Sequence, residues 1–439
     1  MLYFHSKPGE ALKGSIQVPG DKSISHRAIM LGAIAEGQTA VEGFLFGEDN
    51  LATLHAFNVM GVKIDRPALD RLLIHGVGKR GLKQPSQILN LENSGTAFRL
   101  MMGLLAGQHF ASQLTGDTSL CRRPMGRVAD PLRLMGAHIV MNNNCPPVKI
   151  EPVEKLHGIS YELPVASAQV KSAILLAGLF AEGSTTVIES MPSRDHTERM
   201  LRSFDYPLDI KRNNTLHITL DGQSHLSSTT INVPSDLSSA AFFIVAASLV
   251  PGSDLLLTQV GINPTRIGIL NILKAMGADF DIVNERSFNA EPVADLRVRS
   301  APLKGITIPK EQISLAIDEF PILLIAAACA EGETLLTGAE ELRVKESDRI
   351  KAMVDGLVAI GIEAEAFPDG CRVIGGTIKG GEVESLGDHR IAMAFAIAGL
   401  RSKAGILIRD CASVATSFPT FIDLAKQLNL NIQSNSGNR

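Results

Sequence analysis

Basic and acidic side chains in this 439-residue chain gather where a short polar run gives way to an apolar, helix-forming segment. Gly20-Asp21-Lys22-Ser23 has Arg27 one turn later. Asn93-Ser94-Gly95-Thr96 has Arg99, followed by Arg122-Arg123-Pro124. Ser167-Ala168-Gln169 has Lys171, followed by Ser193-Arg194-Asp195-His196-Thr197-Glu198. Asp318-Glu319 precedes Arg343-Val344-Lys345-Glu346-Ser347-Asp348-Arg349, and Asp388-His389-Arg390 opens the last such segment. The first N–H groups of a helix are unpaired and its dipole is positive there, so a helix start is already a weak anion site. Lys and Arg beside it strengthen the site, and Arg can grip a carboxylate or phosphate through two parallel hydrogen bonds. Taken singly, a Lys or Arg at a helix start is a solvated surface charge, and Ser, Asp or Asn there is an ordinary cap. At least five of six equivalent positions repeat the arrangement. Lys22, Arg27, Arg123, Lys171, Arg194, Lys345, Arg349 and Arg390 are therefore expected to bind small polyanions.

The elements that would position these groups form six copies of one segment shape. Anchors at Ser23, Ser94, Ser167, Ser235, Asp318 and Asp388 are separated by 71, 73, 68, 83 and 70 residues. A regular period of this kind marks a repeat architecture. After each anchor comes a helix of apolar and small residues with no polar face, which must be buried all round. A Gly-containing turn and a short β-like run follow, such as TTVIES (185–190) or GILI (405–408). A second helix, with one apolar stripe, ends in a turn and a strand, as in LMGAHIV (134–140). The unit reads βαβαββ, and three units can enclose three buried helices. The expected fold is α/β of inverse-barrel type in two domains. One spans 20–233; the other spans 234–439 with the N-terminal stretch 1–19.

Composition narrows the function. Hydrophobic residues are 45% and charged residues 20% of the chain, ordinary for a well-cored globular protein. Net charge is −4, Trp is absent and aromatics are 5%, which argues against a nucleic-acid partner. Five scattered cysteines form no CxxC pair, and the N-terminus lacks the apolar core of a signal peptide. A cytoplasmic protein without a membrane span is expected. Gly76-Val77-Gly78-Lys79-Arg80-Gly81 fits GxGxxG but leads to no apolar helix, so it is not read as a dinucleotide site. No metal-ligand spacing occurs, and neither a metal nor a cofactor is expected.

These motifs resemble those of the 5-enolpyruvylshikimate-3-phosphate synthases, over the whole chain. GDKSISHRA (20–28), ENSGTAFR (92–99), RVKESDR (343–349) and GDHRIAM (387–393) are similar to that family's signatures. The resemblance implies two three-repeat domains closing like a clamp on substrate in the cleft between them. It implies transfer of the enolpyruvyl group of phosphoenolpyruvate to the 5-hydroxyl of shikimate 3-phosphate, on the route to chorismate and the aromatic amino acids. By the same analogy Lys22, Ser23, Arg27, Ser167, Ala168, Gln169, Arg194, Asp318 and Lys345 hold shikimate 3-phosphate. Lys22, Gly95, Arg123, Gln169, Arg349 and Arg390 hold phosphoenolpyruvate. Asp318 serves the sugar hydroxyl, and Lys22 and Glu346 transfer protons near the enolpyruvyl carbon. The first domain would mainly serve shikimate 3-phosphate. The second would carry the acid–base groups and phosphoenolpyruvate arginines. A monomer is expected.

Four runs resemble the family's glyphosate-tolerant second class: Gly20-Asp21-Lys22, 167–171, 194–198 and Asn263-Pro264-Thr265-Arg266. Gly95 stands where some tolerant members carry Ala. Three rival readings remain. A sister transferase acts on UDP-N-acetylglucosamine, but its loop cysteine is out of register with Cys121. A non-catalytic polyanion-binding protein would not need Asp318 and Glu346. An RNA-end-processing relative is disfavoured by the acidic charge.

Overall fold

The computed structural model describes residues 2–436, which divide into two compact units. The first comprises Gly20–Val233 with Phe288–Glu291; the described part of the second runs over 2–19, 234–287 and 292–436.

In the first unit the inner helices are Lys22–Ile34, Gly95–Ala106 and Ala168–Gly178. Each starts at a side-chain cap. Asp21 Oδ1 accepts from the Ile24 N–H at 2.8 Å, Ser94 Oγ from Ala97 at 3.2 Å, and Ser167 Oγ from Val170 at 3.4 Å. With apolar residues on every side, nearly all their positions are buried. Gly103 permits the second to lie against the third, because a Cβ there would come within 2.0 Å of the Ala173 carbonyl oxygen. The outer helices Glu48–Val59, Gly126–Leu134 and His196–Ser203 bury one face only.

Each repeat adds a sheet. Glu36–Glu42 pairs in parallel with Thr230–Asn232 and antiparallel with Arg71–Val77, which pairs with Lys63–Ala68. The second repeat follows the same order with Leu89–Asn90, Ser112–Thr115, Cys145–Glu151 and His138–Asn142. The third uses Ser160–Glu162, Ser184–Glu189, Leu216–Asp221 and Asp209–Arg212. The last strand of the unit, Thr230–Asn232, thus completes the sheet of its first repeat.

Phe288–Glu291 groups with this unit, so a division at 233/234 does not separate it. Asn289 Nδ2 donates to the Thr230 carbonyl at 2.7 Å, and Glu291 Oε1 lies 2.7 Å from His196 Nδ1. Arg199 Nη1 donates to the Ala290 carbonyl at 2.7 Å. Tertiary hydrogen bonds of this kind leave no trace in a repeat pattern.

The second unit repeats the plan around Leu237–Leu249, Phe320–Ala328 and His389–Gly399. Lys13–Ile16 pairs in parallel with Asp254–Gly261, which continues antiparallel to Glu291–Arg299. Leu2–Ser6 lies between Ile406–Arg409 and Ile432–Ser436, so the N-terminal stretch supplies a strand that the sixth repeat lacks. The fifth repeat departs from the pattern. Its sheet has three strands, and the expected parallel edge is reduced to isolated bridges, Lys304 to Glu331 and Thr307 to Leu335. Pro302 and Pro309 bracket that stretch and cannot donate to a ladder. No helix among the described residues is long and apolar enough to cross a membrane.

Candidate active site

In the first unit most of the candidate residues sit at the N-termini of the three inner helices, while Arg123 follows the turn Leu120–Arg122 and Arg194 precedes the outer helix His196–Ser203. Lys22 opens the first, and its Nζ pairs with the nearly buried Asp49 carboxylate from the next helix. Arg27, one turn on, is buried. Its Nε donates to Thr197 Oγ1 at 2.7 Å, Nη2 to Ser172 Oγ at 2.8 Å, and Nη1 to the Ser23 carbonyl at 3.0 Å. Burial pulls its pKa down to about 10, against the attraction of Glu198 and Asp21, and the group remains a cation. Between Lys22 and Arg27 lies His26, fully enclosed. Burial, then Lys22 and Arg27, hold its pKa well below 6.5, so it is neutral there. Its ring spans Thr53 Oγ1 at 2.8 Å and Ser94 Oγ at 3.4 Å, which ties the first helix to the cap of the second.

At the second helix, Arg123 Nη2 donates to Asn93 Oδ1 at 2.6 Å and to Ser119 Oγ at 3.2 Å. Asn93 is held by Asp117 Oδ2 at 2.6 Å. Gly95 is buried, and a methyl built on it would lie 3.1 Å from Arg99 Nη1 and 3.3 Å from Arg123 Nη1. Gln169, at the third helix, accepts from Arg99 Nη1 at 2.7 Å and donates to Thr96 Oγ1 at 3.1 Å. Arg99, named in the sequence for its place at a helix start, thus orients Gln169. Ser167 caps that helix and Ala168 begins it. Arg194 is half-buried, close enough to Arg27 for the two cations to repel.

Lys171 corrects the sequence reading. It does not join an anion site. Its Nζ is completely buried against Glu189 Oε2 at 2.8 Å and Glu198 Oε1 at 2.7 Å, and it donates to the Ser193 carbonyl at 3.3 Å. Burial works against its charge, but the two carboxylates outweigh it and the pKa is raised. It is an internal ion cluster, invisible in the sequence because its partners lie in a later strand and helix.

In the second unit the groups form one network around Asp318. Its Oδ1 lies 3.5 Å from both Lys345 Nζ and Arg349 Nη1. Arg349 Nη2 donates to Glu346 Oε2 at 2.7 Å. Behind Arg349 stands Asp388, which receives Nε at 2.8 Å and Nη2 at 3.2 Å. Burial disfavours charge on Arg349, yet Asp388, Glu346 and Asp318 together raise its pKa, so it stays charged. Arg390 Nη1 donates to the Asp318 carbonyl at 2.8 Å and lies 3.6 Å from Glu319 Oε1. Asp318 is placed two residues ahead of helix Phe320–Ala328, and the intervening Glu319 makes no side-chain cap. Asp388 and Glu319 were legible only as helix-start acids; their arginine partners come from the neighbouring repeats.

Chemically, the first unit presents cations and N–H groups at three helix starts. The second presents a partly exposed carboxylate flanked by an ammonium and a guanidinium, with a second carboxylate, Glu346, on the same arginine and a further guanidinium, Arg390, on the Asp318 carbonyl. Such a set can bind anions and move protons.

The family model for EPSP synthase (3-phosphoshikimate 1-carboxyvinyltransferase) matches residues 6–424. The 3-phosphoshikimate 1-carboxyvinyltransferase of Legionella pneumophila strain Philadelphia 1 is 57% identical over 436 residues, 99% of this chain and 100% of that protein. That of Methylococcus capsulatus is 58% identical over 98% of each. The structure of EPSP synthase from Acinetobacter baumannii superposes with a TM-score of 0.88 at 54% identity, covering 99% of this chain and 100% of that one. The enolpyruvyl transferase NikO from Streptomyces tendae, 16% identical with a TM-score of 0.79, shares the fold.

Proposed function

The chain belongs to the EPSP synthase family, and from that premise we propose how its residues divide the work. It is a transferase that moves the enolpyruvyl group of phosphoenolpyruvate to shikimate 3-phosphate, a step of aromatic amino acid biosynthesis. The reaction goes by addition and then elimination through a tetrahedral ketal. Addition removes a proton from the 5-hydroxyl and places one on the methylene carbon; elimination removes a proton from the methyl group so formed and expels phosphate, while the 5-oxygen keeps its new bond to carbon. Two sets of titratable groups suit this.

In this reading Asp318 takes the hydroxyl proton, and Lys22 and Glu346 exchange protons at the enolpyruvyl carbon. Lys22, Ser23, Arg27, Ser167, Ala168, Gln169, Arg194, Asp318 and Lys345 hold shikimate 3-phosphate. Lys22, Gly95, Arg123, Gln169, Arg349 and Arg390 hold phosphoenolpyruvate. The first unit then serves mainly the shikimate side, and the second the acid–base groups and phosphoenolpyruvate arginines. The observation that carries the reading is the Asp318 carboxylate 3.5 Å from both Lys345 and Arg349. Calorimetry with shikimate 3-phosphate tests the other half. Arg27→Ala strands charge-assisted bonds and should weaken binding by about 2–3 kcal/mol. Unchanged affinity would remove Arg27 from the site.

The protein is further proposed to act as a monomer in the cytoplasm; its five unpaired cysteines fit a reducing compartment. Glyphosate tolerance is proposed from Gly20-Asp21-Lys22, Ser167-Ala168-Gln169-Val170-Lys171, Arg194-Asp195-His196-Thr197-Glu198 and Asn263-Pro264-Thr265-Arg266. Turnover that persists at glyphosate well above the KM for phosphoenolpyruvate supports it; half-inhibition near that KM refutes it.

A further inference from the structure

We infer that Glu319 is a positioning residue for Arg390 and, through it, for the anionic end of phosphoenolpyruvate; the inference rests on the assignment of Arg390 to that substrate. Glu319 is 1% exposed and immediately follows Asp318. The two adjacent carboxylates serve different groups: Asp318 meets Lys345 and Arg349, whereas Glu319 Oε1 accepts from Ser238 Oγ and lies 3.6 Å from Arg390 Nη1 and 3.7 Å from Arg266 Nη2. Arg266 is itself anchored, with Nη2 donating to Ser238 Oγ at 2.5 Å and to Asp236 Oδ1 at 3.3 Å.

Burying a carboxylate is costly unless it is paired and hydrogen-bonded. Glu319 stands at a helix start, where a cap could explain it, yet its side chain caps nothing. Its other oxygen, Oε2, is buried without a hydrogen-bond partner. What holds it is the Ser238 hydroxyl and the pair of arginines. Arg390 is thereby fixed at one nitrogen by a hydrogen bond to the Asp318 carbonyl at 2.8 Å and an ion pair with the neighbouring Glu319 carboxylate at 3.6 Å. A guanidinium fixed in this way is preorganised, so less entropy is lost when it binds an anion. It also ties the phosphoenolpyruvate arginine to the backbone of the residue assigned to the hydroxyl proton.

The test is steady-state kinetics of Glu319→Gln with each substrate varied. Gln keeps the size and the bond from Ser238 but removes the charge that faces Arg390. KM for phosphoenolpyruvate should rise about tenfold, the scale of one weakened charge-assisted contact. The values of kcat and of KM for shikimate 3-phosphate should stay within about twofold, because uniform binding of one substrate is what is lost. Glu319→Asp, which keeps the charge, should recover part of the loss. Should Glu319→Gln fail to fold by circular dichroism, Ser238→Ala loosens the same carboxylate and should show the same split at about threefold. An unchanged KM for phosphoenolpyruvate, or a loss confined to kcat, overturns the inference. Arg390→Lys separates the two levels. If it raises that KM while the Glu319 variants do not, only the positioning role falls. If Arg390→Lys leaves it unchanged, the assignment of Arg390 fails and the positioning role with it.

Discussion

Arg349 and Asp388 form a two-point buried pair, Nε to Oδ2 at 2.8 Å and Nη2 to Oδ1 at 3.2 Å. The same carboxylate accepts from the Arg390 N–H at 2.9 Å, capping helix His389–Gly399, and from Ser347 Oγ at 3.0 Å. One acid therefore orients Arg349 and starts the helix that carries Arg390, the two arginines proposed for phosphoenolpyruvate. Removing it would disturb both.

The pair makes stability depend on pH. Burial pushes the Asp388 carboxyl up, but Arg349 more than offsets this, and its folded pKa lies below the usual 3.8. A depressed acid pKa contributes stability that is present above the unfolded value and lost as pH falls through the folded one. At pH 7, Asp388→Asn should therefore unfold at lower denaturant than the wild type. The gap should narrow below pH ~4. A gap of constant size down to pH 3 would contradict the ion-pair account.

Asp318→Ala should cut turnover by at least about 10²-fold, the scale of one acid–base contribution. Shikimate 3-phosphate affinity should fall only modestly. Stopped-assay kinetics and calorimetry on one preparation separate the two, and near-normal turnover would refute the hydroxyl-proton role.

Gly95→Ala should raise KM for phosphoenolpyruvate and leave KM for shikimate 3-phosphate nearly unchanged. Contacts at 3.1 and 3.3 Å to Arg99 and Arg123 are tighter than ordinary packing, so the arginines must give way. Overpacking costs about 1 kcal/mol or more, roughly fivefold in affinity. Equal effects on both substrates would mean that the methyl disturbs the fold rather than Arg123.

Lys171→Met should act on stability. It leaves Glu189 and Glu198 buried without their cation, a loss of about 3–5 kcal/mol that denaturant unfolding would read. A stable variant with impaired phosphoenolpyruvate binding would restore Lys171 to the anion site.

Much of this arrangement was legible in the chain because its information is local. Caps such as Asp21, Ser94 and Ser167 lie within three residues of the N–H groups they bind, and a helix apolar on every side announces its own burial. Arg349 and Arg390 were identified by motif and position. What stayed hidden depends on residues that only folding brings together. Lys171 carries the same local signature as a surface cation, and only Glu189 and Glu198 reveal its place. Glu319 reads only as an acid at a helix start until Ser238 and Arg266, from another repeat, occupy it. The edge of the fifth sheet was expected from periodicity, which does not register the effect of Pro302 and Pro309 on a ladder.

The central claim is most directly tested by phosphate release from purified protein with phosphoenolpyruvate and shikimate 3-phosphate, without added metal, beside a control in which UDP-N-acetylglucosamine is the acceptor. Release with shikimate 3-phosphate alone is the predicted result. Release with the nucleotide sugar instead, or with neither acceptor, would contradict the account.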